Sequence, residues 1–200
     1  MVTKYKGFYV GRYEAAFDYN GGNIRAASKK SVNKLGSDWS TSRNASRDGY
    51  LWNFVTFGEG MAYSESMASK YGYDTTKVAT NIVTGKQWDT TMKWFQASGI
   101  TVTDYARNSW GNFANAYSPA NVSGYGSIQI SGFSNYWKAK NIYDMSGNLW
   151  EWTIEYYSSQ YILRGGSYAS GDTTSTATHR YASSAAVKIN AGFRVALYVK

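Results

Sequence analysis

The apolar positions of this 200-residue chain fall into short pieces of two different periods. Gly7-Phe8-Tyr9-Val10-Gly11-Arg12-Tyr13-Glu14-Ala15 predicts an opening strand. Residues 18–50 are polar and irregular, and Tyr50–Phe57 is a brief apolar stretch. Glu59–Tyr71 has helical character, with Gly72 as its stop. A second helix is better marked. Thr84-Gly85-Lys86-Gln87 fits a capping box, in which Thr84 accepts from an early backbone N–H while Gln87 reaches back. Trp88, Met92 and Phe95 then recur at i, i+4 and i+7 as one stripe to bury, and Gly99 ends the helix. From Thr101 onward short apolar pieces lie among Gly, Ser and Asn, which fits short strands and loops, with 101–136 as one long excursion. No internal repeat is present. The pattern is that of a mixed α+β chain.

Composition narrows the chemistry. The chain holds 19 Tyr, 8 Trp and 8 Phe but no Cys, which excludes a disulfide framework, a thiolate zinc site and a cysteine nucleophile. His179 is the one histidine, so no multi-histidine metal site can form. A serine triad would have to combine His179 with Asp172, seven residues apart in a Ser/Thr-rich tract without a nucleophile elbow. No transmembrane run and no signal-peptide pattern is visible. The almost immediate strand pattern leads us to expect the C-terminal part of a longer chain. Lys and Arg exceed Asp and Glu by 21 to 13. Arg25, Lys29, Lys30, Lys34, Arg43 and Arg47 stand against Asp38 alone, a solvated surface excursion or a hold for phosphate or an acidic surface. No helix-turn-helix, zinc-finger or RNP pattern accompanies it, so no specific nucleic-acid partner is expected.

The most specific segment is Asn141-Ile142-Tyr143-Asp144-Met145-Ser146-Gly147-Asn148-Leu149-Trp150-Glu151-Trp152. Asp144 and Glu151 offer hard oxygens, Gly147 permits a tight turn, and backbone carbonyls lie between. Such a set suits Ca²⁺, or the two carboxylates pin the loop by hydrogen bonds. Trp150 and Trp152 read as core aromatics. Arg164 and Arg194 read as braces of the fold.

Downstream follow Arg164-Gly165-Gly166-Ser167-Tyr168 and Ala191-Gly192-Phe193-Arg194-Val195. In order, these three segments resemble the formylglycine-generating-enzyme, or sulfatase-modifying-factor, domain, a variant of the C-type lectin fold. GFYVGRYEAA, Thr84–Asp89 and Ser109-Trp110-Gly111-Asn112 match further pieces, so the resemblance spans nearly the whole chain. It implies one α+β, C-type-lectin-like domain over residues 1–200, with two helices, short antiparallel sheets and extensive loops. It also implies a structural calcium site from Asp144 and Glu151 side chains and Gly147 and Leu149 main chain. The family's second calcium site would begin at Asn121 and Val122 and needs a later Asp. No acidic residue lies between 105 and 143, so that site is not carried over.

Formylglycine formation in the family needs two cysteines that hold copper, and the matching places here are Ser170 and Ser175. A hydroxyl does not replace a thiolate for Cu(I). The family's iron-dependent branch needs a separate histidine-rich domain. The resemblance therefore points to a non-catalytic branch, the variable proteins of diversity-generating retroelements. In that branch the stretch between the WEW and GFR motifs, here 150–194, is rewritten and displayed on a phage or bacterial surface. Residues 156–191 are rich in Tyr, Ser, Thr and Ala, a paratope-like composition that an ordinary polar loop also shares. The expected contacts are the exposed members of Tyr156, Ser158, Tyr161, Tyr168, Ser170, Asp172, Thr174, Thr178, Tyr181 and Ser183, against a protein or glycan ligand. The alternative is a fixed accessory or structural module derived from such an enzyme.

Overall fold

The computed structural model describes residues 7–34, 43–100, 111–114, 124, 126–171 and 177–200. Among them run β1 (Phe8–Val10), β2 (Ala16–Asn20), β3 (Asn23–Ala27), α1 (Phe57–Lys70), β4 (Val78–Ile82) and α2 (Gly85–Ala97). The second half adds β5 (Lys138–Ala139), β6 (Ile142–Tyr143), β7 (Trp150–Tyr157), β8 (Gln160–Arg164), β9 (Arg180–Ser183), β10 (Ala191–Phe193) and β11 (Val195–Val199). Two helices and several small sheets make an α+β fold, as the sequence pattern predicts.

Both helices begin on a complete capping box. Thr84 Oγ1 accepts from the Gln87 N–H at 3.1 Å while Gln87 Oε1 accepts from the Thr84 N–H at 2.8 Å. Thr56 and Glu59 do the same for α1, which therefore starts at Phe57, two residues ahead of the sequence expectation. Each helix closes with paired backbone bonds around a glycine. Tyr73 N–H reaches Ala68 O across Gly72, and Ile100 N–H reaches Phe95 O across Gly99. The stripe of α2 is buried as expected: Trp88, Met92 and Phe95 pack with Val83, Met145 and Ala196. A larger core gathers Phe17, Trp52, Val55, Phe57, Ile82, Trp152, Leu163 and Phe193.

The opening strand is shorter than the sequence pattern predicts. It ends at Val10; Gly11 still donates to Val195 O at 2.8 Å, and a Cβ there would meet Val195 O at 2.9 Å and Ser28 Oγ at 2.8 Å. The chain then turns Glu14 inward before β2 begins. The stretch 18–50, expected to be irregular, includes most of the β2–β3 hairpin, in which Asn20 pairs with Asn23 around Gly21-Gly22. Its basic residues are partly spent internally. Asp18 takes both Arg25 and Lys29, and Arg43 reaches Glu59 at 3.2 Å. The proposed 101–136 excursion is described only in part, and its Asn121 and Val122 lie outside the described residues.

Two sheets position everything that follows. One runs β1-β11-β4. The other runs β10-β7-β8-β9, with β10 parallel to β7 and the other pairs antiparallel. The three motif segments are thus adjacent strands: Trp150–Trp152 pair with Ala191–Phe193 on one side, and Glu151 and Trp152 pair with Arg164 and Leu163 on the other.

Candidate ligand-binding face and the buried charge cluster beneath it

The 144–151 turn is built around one amide. Asn148 is fully buried with φ +61. Its Oδ1 accepts from the Gln129 N–H at 3.0 Å and from Asn112 Nδ2 at 3.1 Å. Its Nδ2 donates to Glu14 Oε2 at 2.7 Å and to Gln129 O at 3.2 Å. The second Glu14 oxygen accepts from the Leu149 N–H at 3.0 Å. Glu14, 134 residues away in sequence, therefore completes the turn.

Arg194 is buried on the other side of the turn. Its Nε donates to Glu151 Oε2 at 3.0 Å and its Nη2 to Glu151 Oε1 at 2.5 Å. Nη2 also donates to Tyr143 O at 2.8 Å, and Nη1 to Gly11 O at 2.9 Å. Asp144 Oδ2 accepts from the Gly132 N–H at 2.7 Å and from Ser131 Oγ at 3.1 Å, while its Oδ1, also buried, has no hydrogen-bond partner among the described residues. Burial pushes the Asp144 carboxyl up to about 7, against the opposing pull of its bonds and Arg194. Burial also raises Glu14 well above the usual carboxylate range, helped by Asp144 and Glu151. Glu151 is raised by burial and pulled back by Arg194. Burial works against the charge of Arg194, but Glu151 outweighs it and the guanidinium is held more firmly protonated.

The resemblance assigns Asp144, Gly147, Leu149 and Glu151 to calcium, and Glu151 is turned to Arg194 instead. Both oxygens of Glu151 are taken by a guanidinium, which leaves Asp144 Oδ1 as the free carboxylate oxygen of that pair. Among the described residues no three His, Cys, Asp or Glu side chains gather as a metal would require. Gly147 has a steric reason of its own: at φ +74, a Cβ there would lie 2.4 Å from Asn112 O.

Above this cluster, β7, β8 and β9 carry the tail. Trp152 Nε1 donates to Val55 O at 3.0 Å, and Trp150 is 6% exposed, so both are core aromatics. Arg164 is a brace, as expected. Fully buried, it reaches Asp89 on α2 at 2.6 Å and Glu155 at 3.3 Å, and Arg180 on β9 holds the same two acids at 2.5 and 2.6 Å. Four charges thus clamp three strands to a helix.

The candidate contact residues separate by exposure. Tyr156 is 63% exposed and Tyr181 47%, with Ser158 and Thr178 also exposed. Tyr181 lies stacked on Trp150, ring centroids 5.3 Å apart, and His179 packs against the same indole at 5.7 Å. Burial, then Arg164, pushes the His179 imidazole below its usual value. Tyr157, which the sequence reading did not single out, is the most open of the group at 70%. Ser158 and Ser159 turn the β7–β8 hairpin with φ of +46 and +62, so both tyrosines sit at its exposed end, paired with Tyr161 and Gln160.

Others lie deeper. Tyr161 is half-buried and stacks on Phe57 with centroids 3.7 Å apart. Tyr168 and Ser170 are half-buried, and Ser170 Oγ sits 3.0 Å from Ser167 Oγ. Ser183 is a correction: it is buried and donates to Ser184 O, so it is not on the exposed face. It pairs with Tyr161, where Phe57 N–H bonds Ala185 O and covers that end of β9. Asp172, Thr174 and Ser175 lie outside the described residues.

Comparison with known proteins agrees with this frame. Residues 11–199 match the model of the sulfatase-modifying factor enzyme 1-like domain. No curated protein matches by sequence. Among solved structures, variable protein 1 of Treponema denticola superposes with a TM-score of 0.54 at 13% identity, over 92% of this chain and 91% of that one. PvdO from Pseudomonas aeruginosa gives 0.58 at 15%, over 96% and 80%. CarF gives 0.57 at 16%, over 74% and 68%. These likenesses carry the C-type-lectin-like fold of the formylglycine-generating-enzyme type. The family match spans nearly the whole chain, and the chain belongs to the sulfatase-modifying factor enzyme 1-like domain family.

Proposed function

We propose that this chain is a non-enzymatic ligand-binding domain of the variable-protein kind, which meets a protein or glycan on a cell or phage surface through its C-terminal face. One observation carries the reading. Within 150–194, framework and display are separated side chain by side chain. Arg164 to Ser167 and Ala191 to Arg194 are buried, while Tyr156, Tyr157 and Ser158 before the first segment and Thr178 and Tyr181 between the two are exposed. Exposed tyrosines give large contact area at low entropic cost, and hydroxyls adapt to the ligand. The fold-level likeness to a variable protein supports the reading. So does chemistry, since no cysteine exists to hold Cu(I) where Ser170 and Ser175 stand.

The test is deep sequencing of codons 150–194 across a natural population that carries the gene. The expected result is substitution concentrated at the five exposed positions, with residues 164–167 and 192–194 fixed. A uniform tail, or changes spread evenly over buried and exposed positions, would overturn the proposal and leave the fixed accessory module.

A further inference from the structure

The arrangement around Arg194 leads to a separate inference that does not rest on the ligand-binding reading. We infer that the Arg194 guanidinium is the structural cation of this domain, in the role that a calcium ion would take in the 144–151 turn, and that the fold is independent of calcium.

The ligand set of the guanidinium is the argument. It gathers four oxygens: both carboxylate oxygens of Glu151 and the main-chain carbonyls of Gly11 and Tyr143. Carboxylates and backbone carbonyls are the donors that hold Ca²⁺. The geometry differs, because a planar fork takes its acceptors in one plane at hydrogen-bond length and a metal takes them in a shell of 2.3–2.6 Å. Arg194 ties the strand end at Gly11, the β6 strand at Tyr143 and the β7 strand at Glu151 through one side chain. A calcium ion bound by Glu151 would have to displace the guanidinium. That would leave a buried cation without its carboxylate and two carbonyls without donors, each a cost with no compensating bond.

Charge balance fits the same reading. Glu14, Asp144 and Glu151 are all buried and face one cation, Arg194. Glu14 is occupied by Asn148 and the Leu149 N–H, and Asp144 by Ser131 and the Gly132 N–H. Asp144 Oδ1 stays open, but it is one oxygen where Ca²⁺ takes six to eight, and Glu151, the other carboxylate of the turn, is held by Arg194.

The test uses the whole chain and two readouts. First, thermal melting and isothermal titration are run in chelator and in millimolar Ca²⁺. The expected result is the same Tm in both and no heat of stoichiometric binding. A rise in Tm with Ca²⁺ together with one-to-one binding, both abolished by Glu151→Gln, would overturn the inference. Second, the Arg194 Nε–H resonance is followed by ¹⁵N NMR. It should exchange slowly with solvent and stay in place as Ca²⁺ is added. Rapid exchange in the metal-free protein, or a shift that saturates with Ca²⁺, would also overturn it. Arg194→Lys, which keeps the charge but loses the fork, should lower Tm and remain unresponsive to Ca²⁺. Neither wild-type readout depends on that variant folding.

Discussion

Gly147→Ala tests the reading of the central turn against a built-in control. At Gly147 a methyl group meets two separate costs. The backbone is at φ +74, and the new Cβ would lie 2.4 Å from Asn112 O, 2.6 Å from its N and 2.7 Å from its C. All three atoms are backbone, so relief requires Asn112 to move. Asn112 O also accepts from the Asn148 N–H at 2.9 Å, and moving it disturbs the amide on which the turn is built. Gly72, at the end of α1, has φ +75 but nothing within 4 Å of its Cβ position. Gly72→Ala therefore pays the backbone cost alone, about 1–2 kcal/mol. Gly147→Ala adds an overpacking cost of about 1–3 kcal/mol, for about 2–5 kcal/mol in all. Urea denaturation of the three proteins, with the slope held constant, gives both losses. If Gly147→Ala costs no more than Gly72→Ala, the close approach to Asn112 is not what requires glycine, and the steric account of this position fails.

Three further predictions follow from other parts of the molecule. Tyr156→Ala and Tyr157→Ala should each leave stability within about 0.5 kcal/mol, whereas Tyr161→Ala loses the stack on Phe57 and about 2 kcal/mol; equal losses in urea would place all three in one environment. Arg164→Met should cost about 1–2 kcal/mol, because Arg180 still reaches the partly exposed Asp89 and Glu155; a loss no larger than that of a surface substitution would show that the clamp adds nothing. Asp144 titrates near 7 when folded and near its ordinary value when unfolded, so between those values the folded state holds the extra proton and stability falls as pH rises toward 7. Asp144→Asn should flatten that slope in urea midpoints measured from pH 4 to 8, and an unchanged profile would assign the slope elsewhere.

Elements whose cause is local were legible in the sequence. The second helix is complete in its own residues: the box at Thr84 and Gln87, the stripe of Trp88, Met92 and Phe95, and the stop at Gly99. The order of the three motif segments also sufficed to place the fold. What escaped depends on distant partners. β4 (Val78–Ile82) carries no clear alternation and is a strand because β11 pairs with all five of its residues. The β2–β3 hairpin did carry a signal, Asn20-Gly21-Gly22-Asn23, hidden by the polar surroundings. Glu14 reads as one polar residue in an apolar run, and its role appears only when Asn148 is folded against it. Asp89, Glu155 and Arg180 likewise become a clamp with Arg164 only in three dimensions. In the C-terminal segment, composition did not tell which residues face out. Tyr181 and Ser183 lie on one side of the same strand, yet one is open above Trp150 and the other is covered near Phe57.

The parallel pairing of β10 with β7 has a mechanical consequence. Trp150–Trp152 and Ala191–Phe193 are hydrogen-bonded neighbours, so everything from Thr153 to Asn190 leaves and returns at one place in the frame. The intervening chain is a loop with fixed ends, however much structure it holds within itself. Closing such a loop costs only about 0.6 kcal/mol more for each doubling of its length. Added length at the exposed Ser158–Ser159 turn should therefore cost the frame little, as a socket accepts a longer insert, provided that the buried edges at Leu163 to Ser167 and Ala191 to Arg194 stay intact.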